Sequence, residues 1–183
     1  CLFTGQPVEL VIRGGTNVKW SPSVDYLIHV FLPIIGEMGV KEEIEIQRRG
    51  YYPRGGGIVK AIIHPIVHLR ELNLLERGAV VGIKGIAHSS NLQCHIVERM
   101  AKAAKNKLNY SCNIELECGK GFSTGTGIVL WAVGENSLLG SGFLGEIGKK
   151  AEKVGEEASA KLIAELKTNA PLDSHMSDQV IPY

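Results

Sequence analysis

The feature that most limits how this chain can fold is a pair of alternating segments joined by a short glycine-rich link. Residues 40–50, VKEEIEIQRRG, set Val40, Ile44 and Ile46 between charges, and residues 57–65, GIVKAIIHP, form a second strand-like run. Side chains of a strand point to opposite faces in turn, so alternation of this kind predicts a strand with one buried face. The link YYPRGG is too short for a crossover and fits a turn between antiparallel neighbours. Upstream, PVELVIR (7–13) alternates as a third strand, and GGTN breaks it. A helix is expected next, with Ser21 as N-cap and Pro22 at the first helical position. Val24, Leu27, Ile28, Phe31 and Leu32 give it an apolar face as far as Met38, with a kink expected at Pro33. The order strand, helix, strand, strand makes one α+β unit.

A second unit follows. GAVVGIKGIAHS (78–89) reads as a strand running into a cap cluster at Ser89, Ser90 and Asn91. The helix expected over 92–108 carries Ile96, Met100 and Ala104 on one face and Arg99, Lys102, Lys105 and Lys107 elsewhere. SCNIELEC and GTGIVLWAVG are strands separated by GKGFSTGTG, which reads as a flexible hairpin, and SLLGSGFLG is a weaker strand. A charge-rich helix over 146–167 ends before Asn169, Ala170 and Pro171. Residues 76–167 thus read as a small α+β subdomain with its own sheet. At PLDSHMSDQVIPY a new helix begins, capped by Asp173 or Ser174.

Composition excludes some classes. A formal net charge of +1 over 183 residues is no global polyanion signature, so nucleic-acid contact must come from a local cluster. No apolar run reaches membrane-spanning length. Cys1, Cys94, Cys112 and Cys118 form no CxxC pair, which favours reduced thiols in an intracellular protein. The chain opens on Cys1 as if entering a strand already under way and stops within an apolar run, and is read as an internal piece of a longer protein.

The local cluster is residues 48–57, RRGYYPRGGG, where Arg48, Arg49 and Arg54 flank a glycine triplet. Such a loop is either solvated surface or an anion nest of backbone N–H groups and guanidinium forks. RGGTN and GKGFSTGTG share the style, and neither matches a P-loop or a dinucleotide fingerprint. Among the histidines, His64 and His68 are separated by Pro65, which breaks the helix an HxxxH metal site needs. His29 reads as packing, and His88 and His95 as surface or capping residues. His175 lies in the polar cluster DSHMSDQ at a helix start. There a base or ribose could meet helix N–H groups and side-chain donors, or the cluster is a plain N-cap.

Taken together, RGGTNVKWSPSVDYL, RRGYYPRGGG and SHMSDQVIPY, in this order, resemble the RNA 3'-terminal phosphate cyclase family. RGYYPRGGG looks like that family's signature. The resemblance implies an α+β fold of repeated βαβαββ units, shared with enolpyruvyl transferases, carrying an inserted small α+β subdomain. Residues 1–75 would belong to the large body, 76–167 to the insert, and 168–183 to the return into the body. It implies ATP-dependent conversion of an RNA 3'-phosphate to a 2',3'-cyclic phosphate, with a divalent metal (Mg or Mn), through an enzyme–AMP intermediate. The partner is RNA with a 3'-phosphate end, and the compartment cytoplasmic, or nuclear in a eukaryote.

By position, His175, Met176, Ser177, Asp178 and Gln179 would hold ATP or AMP, with Pro22 walling the adenine. Arg48, Arg49 and Arg54 would serve RNA phosphate or hold the fold through carboxylates. The family's nucleophilic histidine lies downstream of the DQ motif, beyond Tyr183, so no catalytic residue is assigned here and residues 1–183 alone are expected to be inactive. The competing reading is a non-catalytic cyclase-like ribosome-assembly factor. An enolpyruvyl transferase would have no reason to carry RGYYPRGGG.

Overall fold

The computed structural model describes all residues from 1 to 183. Two sheets organise it. The first contains β1 (Val8–Gly14), β2 (Glu42–Arg48) and β3 (Gly57–Ile63) in the order β1-β3-β2, all antiparallel. Its inner face is set by the alternation: Gly57, Val59 and Ala61 are buried on β3 while Ile58, Lys60 and Ile62 between them are only partly so.

Between β1 and β2 the chain is helical from 24 to 37, though not uniformly. A turn of α-helix, α1 (Val24–Tyr26), passes into a π-helical stretch, Leu27–Phe31, and then into α2 (Leu32–Glu37). The expected kink at Pro33 is absorbed in this way. Pro33 lacks an N–H and its ring crowds the carbonyl four residues back, and the wider π-turn relieves both. The cap also differs: Ser23, not Ser21, accepts the Tyr26 N–H at 3.3 Å. Ser21 and Pro22 are therefore left in the loop before the helix, where their side chains are exposed.

The second sheet has the order β5-β4-β6-β7, from β4 (Val80–Ser90), β5 (Cys112–Gly119), β6 (Gly125–Gly134) and β7 (Leu138–Leu144). β4 is parallel to β5 and antiparallel to β6. GKGFSTGTG is thus not a hairpin, because β5 and β6 are both partners of β4 and the loop crosses over the β4 end. Two amphipathic helices, α3 (Cys94–Lys107) and α4 (Ala151–Lys167), cover one face of this sheet around Ile83, Ala87, Ile128 and Leu130. The 24–37 helix covers the other, against Ile86, Val129 and Trp131. A strand buried on both faces reads as a continuous apolar run, which accounts for GIVLWAV. Residues 76–167 thus hold one apolar cluster of their own, and a second cluster joins the other face of their sheet to residues 1–75. The chain ends in a short helix, α5 (Ser174–Gln179), capped by Asp173.

The cysteines depart from expectation. Cys94 opens α3, Cys118 lies near the end of β5, and the two are joined as a disulfide with Cα atoms 5.6 Å apart. Their spacing along the chain carries no signal, since only the parallel β4–β5 crossover brings them together.

Candidate functional site

A cavity of about 470 Å³ lies where the two units meet. One wall is the loop of residues 18–23 with Tyr26; the floor is Ile128 and Val129 of β6 and Gly142, Phe143 and Leu144 of β7; Glu146, Lys161 of α4 and His175 of α5 complete it. The floor is apolar and the rim is charged. Lys19 pairs with Glu146 at 3.1 Å, and Lys161 Nζ lies 2.6 Å from His175 Nε2. Trp20 stands at the rim with 86% of its surface exposed.

The α5 side of the cavity is held by one carboxylate. Asp173 is fully buried and accepts hydrogen bonds from the Tyr26 hydroxyl at 2.7 and 2.8 Å, Gly140 N at 2.7 Å, His175 N at 3.0 Å and Met176 N at 3.1 Å. It ties α1, β7 and α5 to one point. Burial first, and then the Asp173 charge, push the Tyr26 hydroxyl far above its ordinary pKa, so it remains a donor.

The residues that the resemblance places around a nucleotide divide. Pro22 and His175 both line the cavity. Met176 does not: it is fully buried in the core beneath Tyr26. The Ser177 hydroxyl donates to the Asp173 carbonyl at 3.0 Å, while Asp178 and Gln179 are exposed outside the cavity lining. Lys19, Phe143, Lys161 and the anchor function of Asp173 carried no sequence signal as site features, because each becomes one only through tertiary packing.

The arginines divide as well. Arg49 is buried, with Nη1 and Nη2 donating to Asp25 at 2.7 and 2.8 Å, and Nε and Nη2 donating to Glu117 at 3.0 and 2.5 Å. Carboxylates occupy its fork, so it offers nothing to a phosphate, whereas Arg48 and Arg54 are exposed. Burial opposes the Asp25 carboxylate, yet the Arg49 hydrogen bonds overcome this and hold its pKa below the ordinary value. His88, expected as a surface or capping residue, is fully buried beside them. Its Nδ1 lies 2.7 Å from the Tyr51 hydroxyl and its Nε2 lies 3.4 Å from Asn17 Nδ2. The reason is register: His88 shares the β4 face that packs toward the first unit.

Glycine is required where this loop meets itself. A Cβ on Gly50 would come within 2.3 Å of Gly57 N, and one on Gly57 within 2.9 Å of the Gly14 carbonyl. The glycines of RGG, RRG and RGGG let three backbone segments touch.

Comparison with known proteins gives this pattern its context. The model of the RNA 3'-terminal phosphate cyclase family matches residues 1–183. The chain belongs to that family. Among its relatives, the RNA 3'-terminal phosphate cyclase of Ignicoccus hospitalis is 44% identical over 191 residues, covering 100% of this chain and 54% of the relative. That of Thermococcus kodakarensis is 46% identical over 185 residues, covering 99% and 53%, and that of Pyrococcus furiosus is 42% identical over 185 residues, covering 100% and 54%. The chain spans about half the length of the curated cyclases it matches. In this member of the cyclase family, RGYYPRGGG is above all a clamp between sheets: Arg49, Gly50 and Tyr51 face inward.

No three His, Cys, Asp or Glu side chains cluster in a way that could hold a metal ion. The divalent ion that the resemblance implies therefore has no side-chain cage within residues 1–183. No helix is long and apolar enough to cross a membrane.

Proposed function

We propose that the protein takes part in ATP-dependent conversion of an RNA 3'-terminal phosphate to a 2',3'-cyclic phosphate, with residues 1–183 supplying the nucleotide cavity. The observation that carries this reading is the meeting of Pro22 and His175, from distant parts of a chain that matches the cyclase family throughout, at one cavity with an apolar floor and a charged rim that includes Lys19 and Lys161. The base would lie between Pro22 and Phe143. Lys19 and Lys161 would face the phosphates, and Lys161 would exchange its contact with His175 for a phosphate oxygen. A phosphate oxygen is a poor leaving group until it is activated as an anhydride, and an adenylyl transfer provides that activation. In this reaction a histidine attacks the α-phosphorus and pyrophosphate leaves. AMP then passes to the RNA 3'-phosphate, and the neighbouring 2'-hydroxyl displaces it. His175 is not assigned as the nucleophile. Residues 76–167 are proposed to be a subdomain inserted into the cyclase body.

The test is an intact-mass measurement of the full-length protein, not of residues 1–183 alone, after incubation with ATP and Mg²⁺. A covalent increment of one adenylyl group, discharged by RNA ending in a 3'-phosphate, is the expected result. No increment under any divalent ion, with RNA binding retained, would replace this reading with that of a non-catalytic RNA-binding relative.

A further inference from the structure

The two glycine-rich basic loops that look alike in the sequence are one surface in the fold. Ser123 Oγ accepts the Tyr51 N–H at 2.7 Å and donates to the Gly55 carbonyl at 2.7 Å, fastening residues 120–124 onto residues 51–55. Gly56 sits at the centre of the join with φ of +74°. A Cβ there would lie 2.3 Å from the Phe122 ring, so the ring rests directly on the Gly56 backbone. Arg48 Nε donates to the Gly56 carbonyl at 2.7 Å, which brings a guanidinium to the same point. Phe122 nevertheless keeps 58% of its surface exposed and Tyr52 keeps 73%. Both rings thus leave most of their surface free beside exposed cations.

The charge is one-sided. Residues 48–57 and 119–126 contain no acid, and Arg48, Arg54 and Lys120 are all exposed. The adjacent carboxylates, Asp25 and Glu117, are taken by Arg49. Across the sheet, Arg13 of β1 and Arg48 of β2 both stand opposite Ile58 of β3, so two strands bring a cation to this end. The surface also leads to the cavity. Thr16 N and Asn17 N donate to the Gly50 carbonyl at 2.8 and 3.0 Å, and from there the chain runs straight into residues 18–23 of the cavity wall.

We propose that the joined loops, through Phe122, Tyr52, Arg48, Arg54 and Lys120, bind single-stranded RNA upstream of the end that enters the cavity. Rings stack on bases without regard to sequence, while the cations track the phosphates. The proposal rests on the function proposed above for its choice of partner, and extends it from the reacting end to the strand behind it.

The test is fluorescence anisotropy with a labelled single-stranded oligoribonucleotide ending in a 3'-hydroxyl, without ATP, over a range of salt. This probe cannot react, so its binding is independent of adenylyl transfer. Loss of a stacked base costs about 5- to 150-fold in affinity; Phe122→Ala and the bulkier Phe122→Leu should both weaken binding about tenfold or more. Arg54→Ala should flatten the plot of log affinity against log salt by about 0.7 for the lost phosphate contact. Phe122→Trp should bind and have its indole emission quenched by RNA, a signature that a merely structural ring would not give. Thermal unfolding identifies any variant that fails to fold. Affinities within twofold of the parent for both Phe122 replacements, or an unchanged salt slope for Arg54→Ala, overturn the proposal even if the protein is adenylylated. Weakened binding in a protein that never takes up AMP would leave this surface standing and remove the cyclase reading alone.

Discussion

At His88 the ring nitrogens meet the Tyr51 hydroxyl and the Asn17 amide, and a guanidinium and a carboxylate lie just beyond. Burial, and next the positive charge of Arg49, push the imidazole pKa down to about 4 from 6.5. Asp25 Oδ2 is 3.8 Å from Nε2, but with the ring neutral this is not an ion pair. The consequence is acid lability. A group whose folded pKa is depressed gives stability that is fully present above the unfolded pKa and is lost as pH falls through the folded one. For His88 that window runs from about 6.5 down to about 4, and the loss is about 3 kcal/mol. Asp25, whose pKa is depressed from 3.8, adds a further loss on the acid side of that window, below about 3.8. Urea unfolding from pH 7 to pH 4 should show the decline, and His88→Gln should flatten it. A parent protein as stable at pH 4.5 as at pH 7 would show that the ring is not held neutral by its surroundings. None of this is legible in AHSSN, where His88 sits beside polar residues at the end of a strand. Its burial depends on which face of β4 meets the first unit.

The α3–α4 pair shows what the sequence reveals of an element and what it hides. Helical periodicity and the charges of α3 are plain in ERMAKAAKNK, and the cap before HMSDQ is narrowed by sequence to Asp173 or Ser174, of which the structure uses Asp173. The closeness of the two helices is not. Gly155 lies inside α4, where glycine is about 1 kcal/mol worse than alanine by propensity alone. Yet a Cβ there would be 2.2 Å from the Met100 carbonyl and 3.1 Å from Ala104 N on α3. Ser159 uses the same approach, its hydroxyl donating to the Ala104 carbonyl at 3.1 Å. Gly155→Ala should therefore destabilise by about 1–3 kcal/mol despite its better propensity, because the clash is with backbone that cannot rotate away. Chemical denaturation of the two proteins checks this, and a gain in stability from Gly155→Ala would show that the helices can separate at little cost. The β5–β6 connection was hidden for a related reason. Local pattern marks two strands and a glycine-rich link between them, but which strand pairs with which is decided by β4, about thirty residues earlier in the chain.

At the scale of the whole molecule, the cavity exists only because distant segments are pinned together, and Asp173 does the pinning. The motif order that reveals the family fixes which residues are near a nucleotide only to within a helical turn. It brings Pro22 and His175 to the cavity and leaves Asp178 and Gln179 outside its lining. What sets that difference is the rotation of α5, fixed by the buried Met176 and by the four groups that donate to Asp173. Asp173→Asn keeps the shape but replaces an acceptor oxygen with an amide that faces donors. Leaving buried donors without a partner costs about 1–3 kcal/mol for each group affected. The expected loss is about 3 kcal/mol of stability, together with faster hydrogen exchange at residues 174–179. Tyr26→Phe removes one donor, leaves Asp173 with its three backbone partners, and should cost about 1 kcal/mol. If α5 is the movable wall of a nucleotide site, Asp173→Asn should also abolish the rise in melting temperature given by ATP, whereas Tyr26→Phe should keep most of it. Equal losses in the two variants would place the stability of α5 in Met176 packing instead. An undiminished ATP effect in Asp173→Asn would mean that the nucleotide does not contact this wall.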